Sequence, residues 1–294
     1  MAARPKRLIA ATLALACVTA LAPARPQAQA RPPARRIVSL VPALTEILFA
    51  IGAGPQVIAV STFDENPPEV LTLPRVGALL DPDTERILSM RPDLVMVYGS
   101  QDDLKMQLAR AGIATFDYRH SGLADITPVF LKLGDLTGHR AEATTRVHAI
   151  ESRLAMVRTL VAGRPKPKVL LVMGREPQSL RNMDVSGGLG FLHDMVQLAG
   201  GTNVFADIRR QAVRASTEML ITRAPEAIVD LQYTDSADAA QMAKERAVWQ
   251  PLGSIPAVKT GKIHVIYGDH MVVPGPRITA AAEALARAIH PDAF

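Results

Sequence analysis

Short unbroken apolar runs alternate with segments of helical spacing along most of the chain. Arg36-Ile37-Val38-Ser39-Leu40-Val41, residues 57–60, Leu94-Val95-Met96-Val97 and residues 113–116 read as strands. Between them, residues 45–51 and 104–111 have helical spacing and stop at Gly52 and Gly112, while Ile87 and Leu88 belong to a short helix. Apolar runs without alternation are what strands covered on both faces of a parallel sheet require. The pattern restarts at Val169-Leu170-Leu171-Val172-Met173. It continues with a helix over 190–198, strands at 227–231 and 263–266, and a last helix over 279–289.

One longer segment separates the two units. Val147, Ile150, Leu154, Val157 and Val161 recur at intervals of three and four and so share one helix face. A helix over 141–161 is about 31 Å long. Gly138 precedes it, and Gly163-Arg164-Pro165-Lys166-Pro167 breaks it. The expected fold is therefore α/β, two Rossmann-like lobes with parallel sheets joined by one long connecting helix. The expected division is 1–30 as an export signal, 31–138 as the first lobe, 139–163 as the connecting helix and 164–294 as the second lobe. A rigid rod between lobes limits how far they open.

Charge changes the picture at the N-terminus. The 294 residues hold 33 Lys+Arg against 28 Asp+Glu, a net charge of +5. Arg4, Lys6, Arg7 and Arg25 fall within residues 1–30, which contain no acid, so 29 basic residues face 28 acidic ones from Arg31 onward. With 4% aromatic residues there is neither a basic stripe nor a stacking platform for nucleic acid. The basic start, the apolar run over 8–22 and Ala28-Gln29-Ala30 form a secretory signal pattern, so a periplasmic protein is expected. The only cysteine, Cys17, lies in that apolar run. It reads as an ordinary apolar residue there, with lipid attachment as the alternative. Removal of the signal leaves no cysteine for disulfides, Cys-zinc sites or thiol catalysis.

An internal repeat supplies the next clue. Asp83-Thr84-Glu85-Arg86-Ile87-Leu88-Ser89-Met90-Arg91-Pro92-Asp93-Leu94-Val95 matches Ser216-Thr217-Glu218-Met219-Leu220-Ile221-Thr222-Arg223-Ala224-Pro225-Glu226-Ala227-Ile228 at a constant offset of 133. Asp83 and Ser216 are N-cap residues, and a glutamate in the first turn suits the helix dipole. Glu85 and Glu218 thus either stabilise helix starts, or present one acid per lobe to a partner with paired basic sites, or do both.

Residues 36–48, Pro67-Pro68, Leu73-Pro74-Arg75-Val76-Gly77, residues 81–95 and Ala199-Gly200-Gly201-Thr202-Asn203-Val204-Phe205 occur in an order that resembles periplasmic substrate-binding proteins for vitamin B12 and ferric siderophores. The Glu218 segment, residues 249–265 and Pro276-Arg277 continue the resemblance, which spans residues 36–290. It implies a helical-backbone binding protein of an ABC importer, a monomer. Such a protein would capture a corrinoid (cobalamin-like) or iron chelate between its lobes and need no cofactor of its own. It also implies that Glu85 and Glu218 dock on a permease dimer in the inner membrane. A haem- or bare-metal-binding protein of the same architecture is the alternative, and a two-lobed Rossmann-like enzyme the alternative of a different class. Against the enzyme, the chain has no G-x-G-x-x-G after its first strand, no G-x-S-x-G, no P-loop and no H-E-x-x-H. Against bare metal, His120, His139, His148, His193, His264, His270 and His290 show no ligand spacing.

Ligands of open α/β sheets sit at the carboxyl ends of the strands. Pro42, Phe63, Leu79 and Tyr98 are therefore expected to line the first lobe's side of the cleft. Leu79 stands where the resemblance implies a tryptophan in vitamin B12 binders. On the second lobe Arg175, Arg181 and His270 are the candidates, the arginines as partners for carboxylates or catecholates of an anionic chelate.

Overall fold

The computed structural model describes residues 32–119, 122–233 and 238–294; the expected export signal, Cys17 and His120 lie outside the described residues. The first sheet is built from β1 (Ile37–Ser39), β2 (Val57–Val60), β3 (Leu94–Tyr98) and β4 (Ala114–Tyr118), interleaved with α1 (Pro42–Ala50), α2 (Thr84–Ser89) and α3 (Asp102–Arg110). Its order is β2-β1-β3-β4, with every pair parallel. Helices α4 (Ile126–Thr137) and α5 (Arg140–Leu160) come next.

The second sheet takes β5 (Lys168–Gly174), β6 (Met183–Ser186), β7 (Thr202–Asn203), β8 (Ala212–Ala215), β9 (Ala227–Gln232) and β10 (Ile263–Tyr267). Around it lie α6 (Phe191–Leu198), α7 (Thr217–Arg223), α8 (Ala239–Ala247), α9 (Pro256–Lys259) and α10 (Ile278–Ile289). Its order is β10-β9-β5-β6-β8, with β7 beside β5. The expected α/β class with two sheets holds, and parallel pairing holds throughout the first sheet and for β10, β9, β5 and β7. The departure is β6, antiparallel to both β5 and β8. The connection from β5 to β6 carries no helix, and a parallel return needs a crossover of a dozen or more residues.

Helix α1 also departs from expectation, starting at Pro42 rather than Thr45. Proline occupies the first turn without loss, because the N–H it lacks would have no partner within the helix. Pro42 therefore ends β1's run and opens α1.

Alternate residues of each strand enter different cores. Val38, Val95 and Val97 pack on the outer face of the first sheet, and Leu170, Val172 and Ile228 on that of the second. Ile37, Leu94 and Met96 share one continuous core with Val169, Leu171 and Val229, joined through α4, α5 and α10. The α5 stripe of Val147, Ile150, Leu154 and Val157 is buried in that shared core. No described helix is long and apolar enough to cross a membrane.

Candidate functional site

The carboxyl ends of β1, β3 and β4 open on a cavity of about 230 Å³. Leu40, Val41, Pro42 and Ala43 form one wall, Leu79, Tyr98 and Tyr118 a second, and Val272, Val273 and Pro274 of the second lobe the third. Val272 also borders a cavity of about 220 Å³ whose other walls include Met173, Leu189, Phe191 and Tyr233. The two form one mainly apolar trough between the lobes, the kind of lining that binds drug-sized and larger organic ligands. Tyr98 and Tyr118 meet edge to face, with centroids 6.0 Å apart and planes at 70°. Burial raises the Tyr118 phenol above its ordinary pKa, so it stays protonated. The Tyr233 hydroxyl donates to the Met173 carbonyl oxygen. A larger cavity of about 720 Å³ lies among α4, α5 and α6, away from the strand ends, and is edged by Glu151, Arg158, Lys166 and Asp194.

Three of the residues expected to bind ligand meet here: Pro42, Leu79 and Tyr98. Phe63 lines neither cavity and is 71% exposed. Its turn is braced from behind. Ser61 N–H and Oγ–H donate to Asp64 Oδ2 at 2.9 and 2.5 Å, and Arg75 Nη1 donates to the Ser61 and Asp64 carbonyls at 2.8 and 2.6 Å. Thr62 N–H bonds Gly77 O, which ties this turn to the one carrying Leu79.

Arg175 is a correction. It was expected to face an anionic ligand, but its side chain is 1% exposed and lies 2.8 Å from Asp230 and 2.5 Å from Glu245. Arginine at the end of β5 can turn inward because two buried carboxylates await it. Burial raises the pKa of Asp230 despite the adjacent guanidinium. Arg181 does reach solvent, with its side chain 81% exposed, but it pairs with Glu176 at 3.0 Å and does not line the trough. His270 sits half-buried two residues before Val272. Burial, with the Arg277 charge as the smaller cause, lowers its pKa and keeps the imidazole neutral.

Glu85 and Glu218 are exposed in the first turns of α2 and α7. The repeat is a repeat of structure as well. Asp83 caps Arg86 N–H at 3.0 Å and Ser216 caps Met219 N–H at 3.4 Å. Arg91 and Ala224, 133 apart, take left-handed φ of 47° and 49°. Asp93 then accepts from Arg35 and Arg36 N–H before β1, as Glu226 accepts from Lys168 N–H at the start of β5. The helix preceding a parallel strand runs opposite to it, so both glutamates sit towards the carboxyl edges where the trough opens. Hydrogen bonding to Ser216 lowers the pKa of Glu218 and keeps it ionised.

Sequence reasoning missed the main polar contact between the lobes. Arg277, at the N-cap of α10, donates from Nε and Nη2 to Glu46 of α1 at 2.9 and 2.6 Å. It also donates from Nη1 and Nη2 to Asp269, both at 2.7 Å. Asn66 Nδ2 adds a bond to Asp269 at 3.2 Å. Thr45-Glu46 and Pro276-Arg277 lie in quoted motifs, but they are 231 residues apart and nothing local pairs them. Among the described residues no group of three His, Cys, Asp or Glu side chains could hold a metal ion.

These features define a two-lobed solute-binding architecture, and the comparisons place it. The periplasmic binding protein family model matches residues 37–269, and the chain belongs to that family. Its function is substrate binding for transport, not catalysis. The chain is 28% identical over 254 residues to the vitamin B12-binding proteins of Yersinia pestis (strain Pestoides F) and Yersinia pseudotuberculosis, which covers 86% of this chain and 85% of theirs. The periplasmic vitamin B12-binding protein of Vibrio cholerae has the same fold, with a TM-score of 0.74, 24% identity and coverage of 88% of this chain and 98% of that one. A periplasmic haem-binding protein of Pseudomonas aeruginosa gives a TM-score of 0.75 at 24% identity, covering 89% and 94%.

Proposed function

We propose that this protein captures a corrinoid or iron chelate in the periplasm and delivers it to an ABC permease. The observation that carries this reading is the trough itself, apolar and aromatic, at the carboxyl ends of the first sheet, with Val272, Val273 and Pro274 closing it from the second lobe. A broad ligand with an apolar face suits such walls, and Phe63 and Leu80, 71% and 93% exposed, add apolar surface on neighbouring turns. The names of the relatives support vitamin B12 and haem as the first ligands to test. Ferric haem is the second reading, favoured by the Tyr98 phenol in the trough, since phenolate oxygen is a known iron ligand, while buried Tyr118 stays protonated and serves as a wall.

The protein acts as an exported monomer, its signal removed after Ala30 and Cys17 discarded with it. Glu85 and Glu218 dock the loaded protein on basic sites of a permease dimer. Their matched caps and strand connections support that role, because they present two acids in the same local frame. The lobes bind without wide opening, consistent with the core they share.

The test is mass spectrometry of protein purified from its own host, with titration of apo-protein by cyanocobalamin, hemin and ferrichrome. One of the three should bind stoichiometrically. A tightly held transition ion with no organic chelate sinks the reading. Separately, E85A/E218A should abolish uptake in a transport assay and leave ligand affinity unchanged. Lost affinity would place the glutamates in the binding site instead.

A further inference from the structure

Arg277 and Glu46 hydrogen-bond the two lobes directly to each other, and two of the segments they fix, the start of α1 and residues 269–274, border the trough. Glu46 lies on α1, one turn beyond Pro42 and Ala43, which form a trough wall. Asp269 lies three residues before Val272, the residue common to both halves of the trough. Asn66 ends the braced loop that carries Phe63, and its bond to Asp269 ties that loop to the same cluster. One guanidinium therefore fastens α1, the 269–274 segment and, through Asn66, the Phe63 loop. Its planar fork makes four hydrogen bonds to two carboxylates from different lobes, a geometry the ammonium of lysine cannot copy. Glu46 is 5% exposed, so solvent competes little for its side of the pair.

We propose that Arg277 is a positioning residue for ligand binding: by bridging Glu46 and Asp269 it sets the width of the trough and holds Val272–Pro274 against the first lobe. The inference rests on the ligand-binding reading above. It goes beyond it by assigning the affinity partly to groups that touch no ligand. A trough held at its working width spares the ligand the cost of ordering these walls, and preorganisation of that kind appears as affinity.

The test compares R277K and E46Q with the wild-type chain, using R153A as a control. Arg153 pairs with Glu283 at 2.7 Å between α5 and α10, with its side chain 59% exposed and remote from the trough. Affinities for cyanocobalamin and hemin are measured alongside hydrogen exchange at the Val272, Val273 and Gly275 amides of the ligand-free protein. R277K keeps the charge, so its melting temperature should stay near that of the wild type. Its affinity should nevertheless fall about tenfold, because the fork is lost. E46Q should lose affinity to a similar degree, and both variants should exchange faster at these amides, whereas R153A should change neither readout. Wild-type affinity and exchange in both variants would overturn the proposal. So would an affinity loss that only follows melting temperature across all three. If the wild-type chain binds neither probe nor ferrichrome, the ligand reading fails, and exchange at 272, 273 and 275 in E46Q alone decides for or against the bridge.

Discussion

Two arginines of this molecule are each gripped by two carboxylates, and they differ in where the carboxylates come from. Arg175 meets Asp230 on β9 and Glu245 on α8, all within the second lobe, and its side chain is 1% exposed. Trp249 Nε1–H also donates to Asp230 at 3.1 Å, and Gln241 donates to Glu245 at 2.9 Å. Arg277 meets one carboxylate from each lobe, and its side chain and that of Asp269 keep about a third of their surface exposed. The first cluster is sealed and braces one lobe. The second reaches water and joins two lobes behind the trough. The same chemistry thus serves stability in one place and alignment in the other, with burial and topology making the difference.

The largest effect expected from this contrast is on stability. Replacing Arg175 leaves two carboxylates buried without a cation, and R175M should cost about 3–5 kcal/mol of unfolding free energy. Trp249 is the only tryptophan and hydrogen-bonds within this cluster, so its fluorescence in a urea titration reports the loss directly. R277M should cost clearly less, since water reaches Asp269, one of the two carboxylates it leaves behind. Equal losses in the two variants would erase the distinction.

A smaller effect is expected with pH, and its sign should differ between the clusters. Hydrogen bonding to Arg277 holds Asp269 below the ordinary aspartate pKa. Its contribution is complete above the unfolded-state pKa and is lost as pH falls through the lowered native one. Burial holds Asp230 above the ordinary value. The native state therefore binds that proton more tightly than the unfolded chain does, and acidification through the raised pKa favours the fold. Unfolding free energies measured from about pH 6 down to pH 3 should show a shallower acid-side fall in D269N than in the wild-type chain. An unchanged slope would mean that Asp269 gains no net stabilisation from Arg277.

Much of the scaffold was legible from local pattern. The apolar runs at 37–41, 57–60 and 94–97 mark buried strands because a sheet covered on both faces needs them, and the 3–4 stripe at 147–161 marks α5 because only one helix face enters the core. The repeat was legible to the level of its caps. Antiparallel β6 was not, since Met183–Ser186 is short and its pairing is decided by how tightly the chain turns back after β5. Nor was the fate of Arg175. A loop arginine after a strand looks alike in sequence whether it faces a ligand or two buried acids on other elements.

The trough divides along the same line. Pro42, Leu79 and Tyr98 could be placed because they follow strand ends, and strand ends in parallel sheets share one rim. Val272, Val273 and Pro274 could not, because they come from the second lobe and meet the first only in the tertiary structure. By itself the sequence determined the element types, the duplicated frame of Glu85 and Glu218, and the side of each sheet on which a ligand would sit; these depend on periodicity and neighbours a few residues away. Tertiary structure alone decided which arginine was sealed, which one bridged the lobes, and how wide the trough stood. Those outcomes rest on contacts between residues as far apart as Glu46 and Arg277, whose meeting no local pattern encodes.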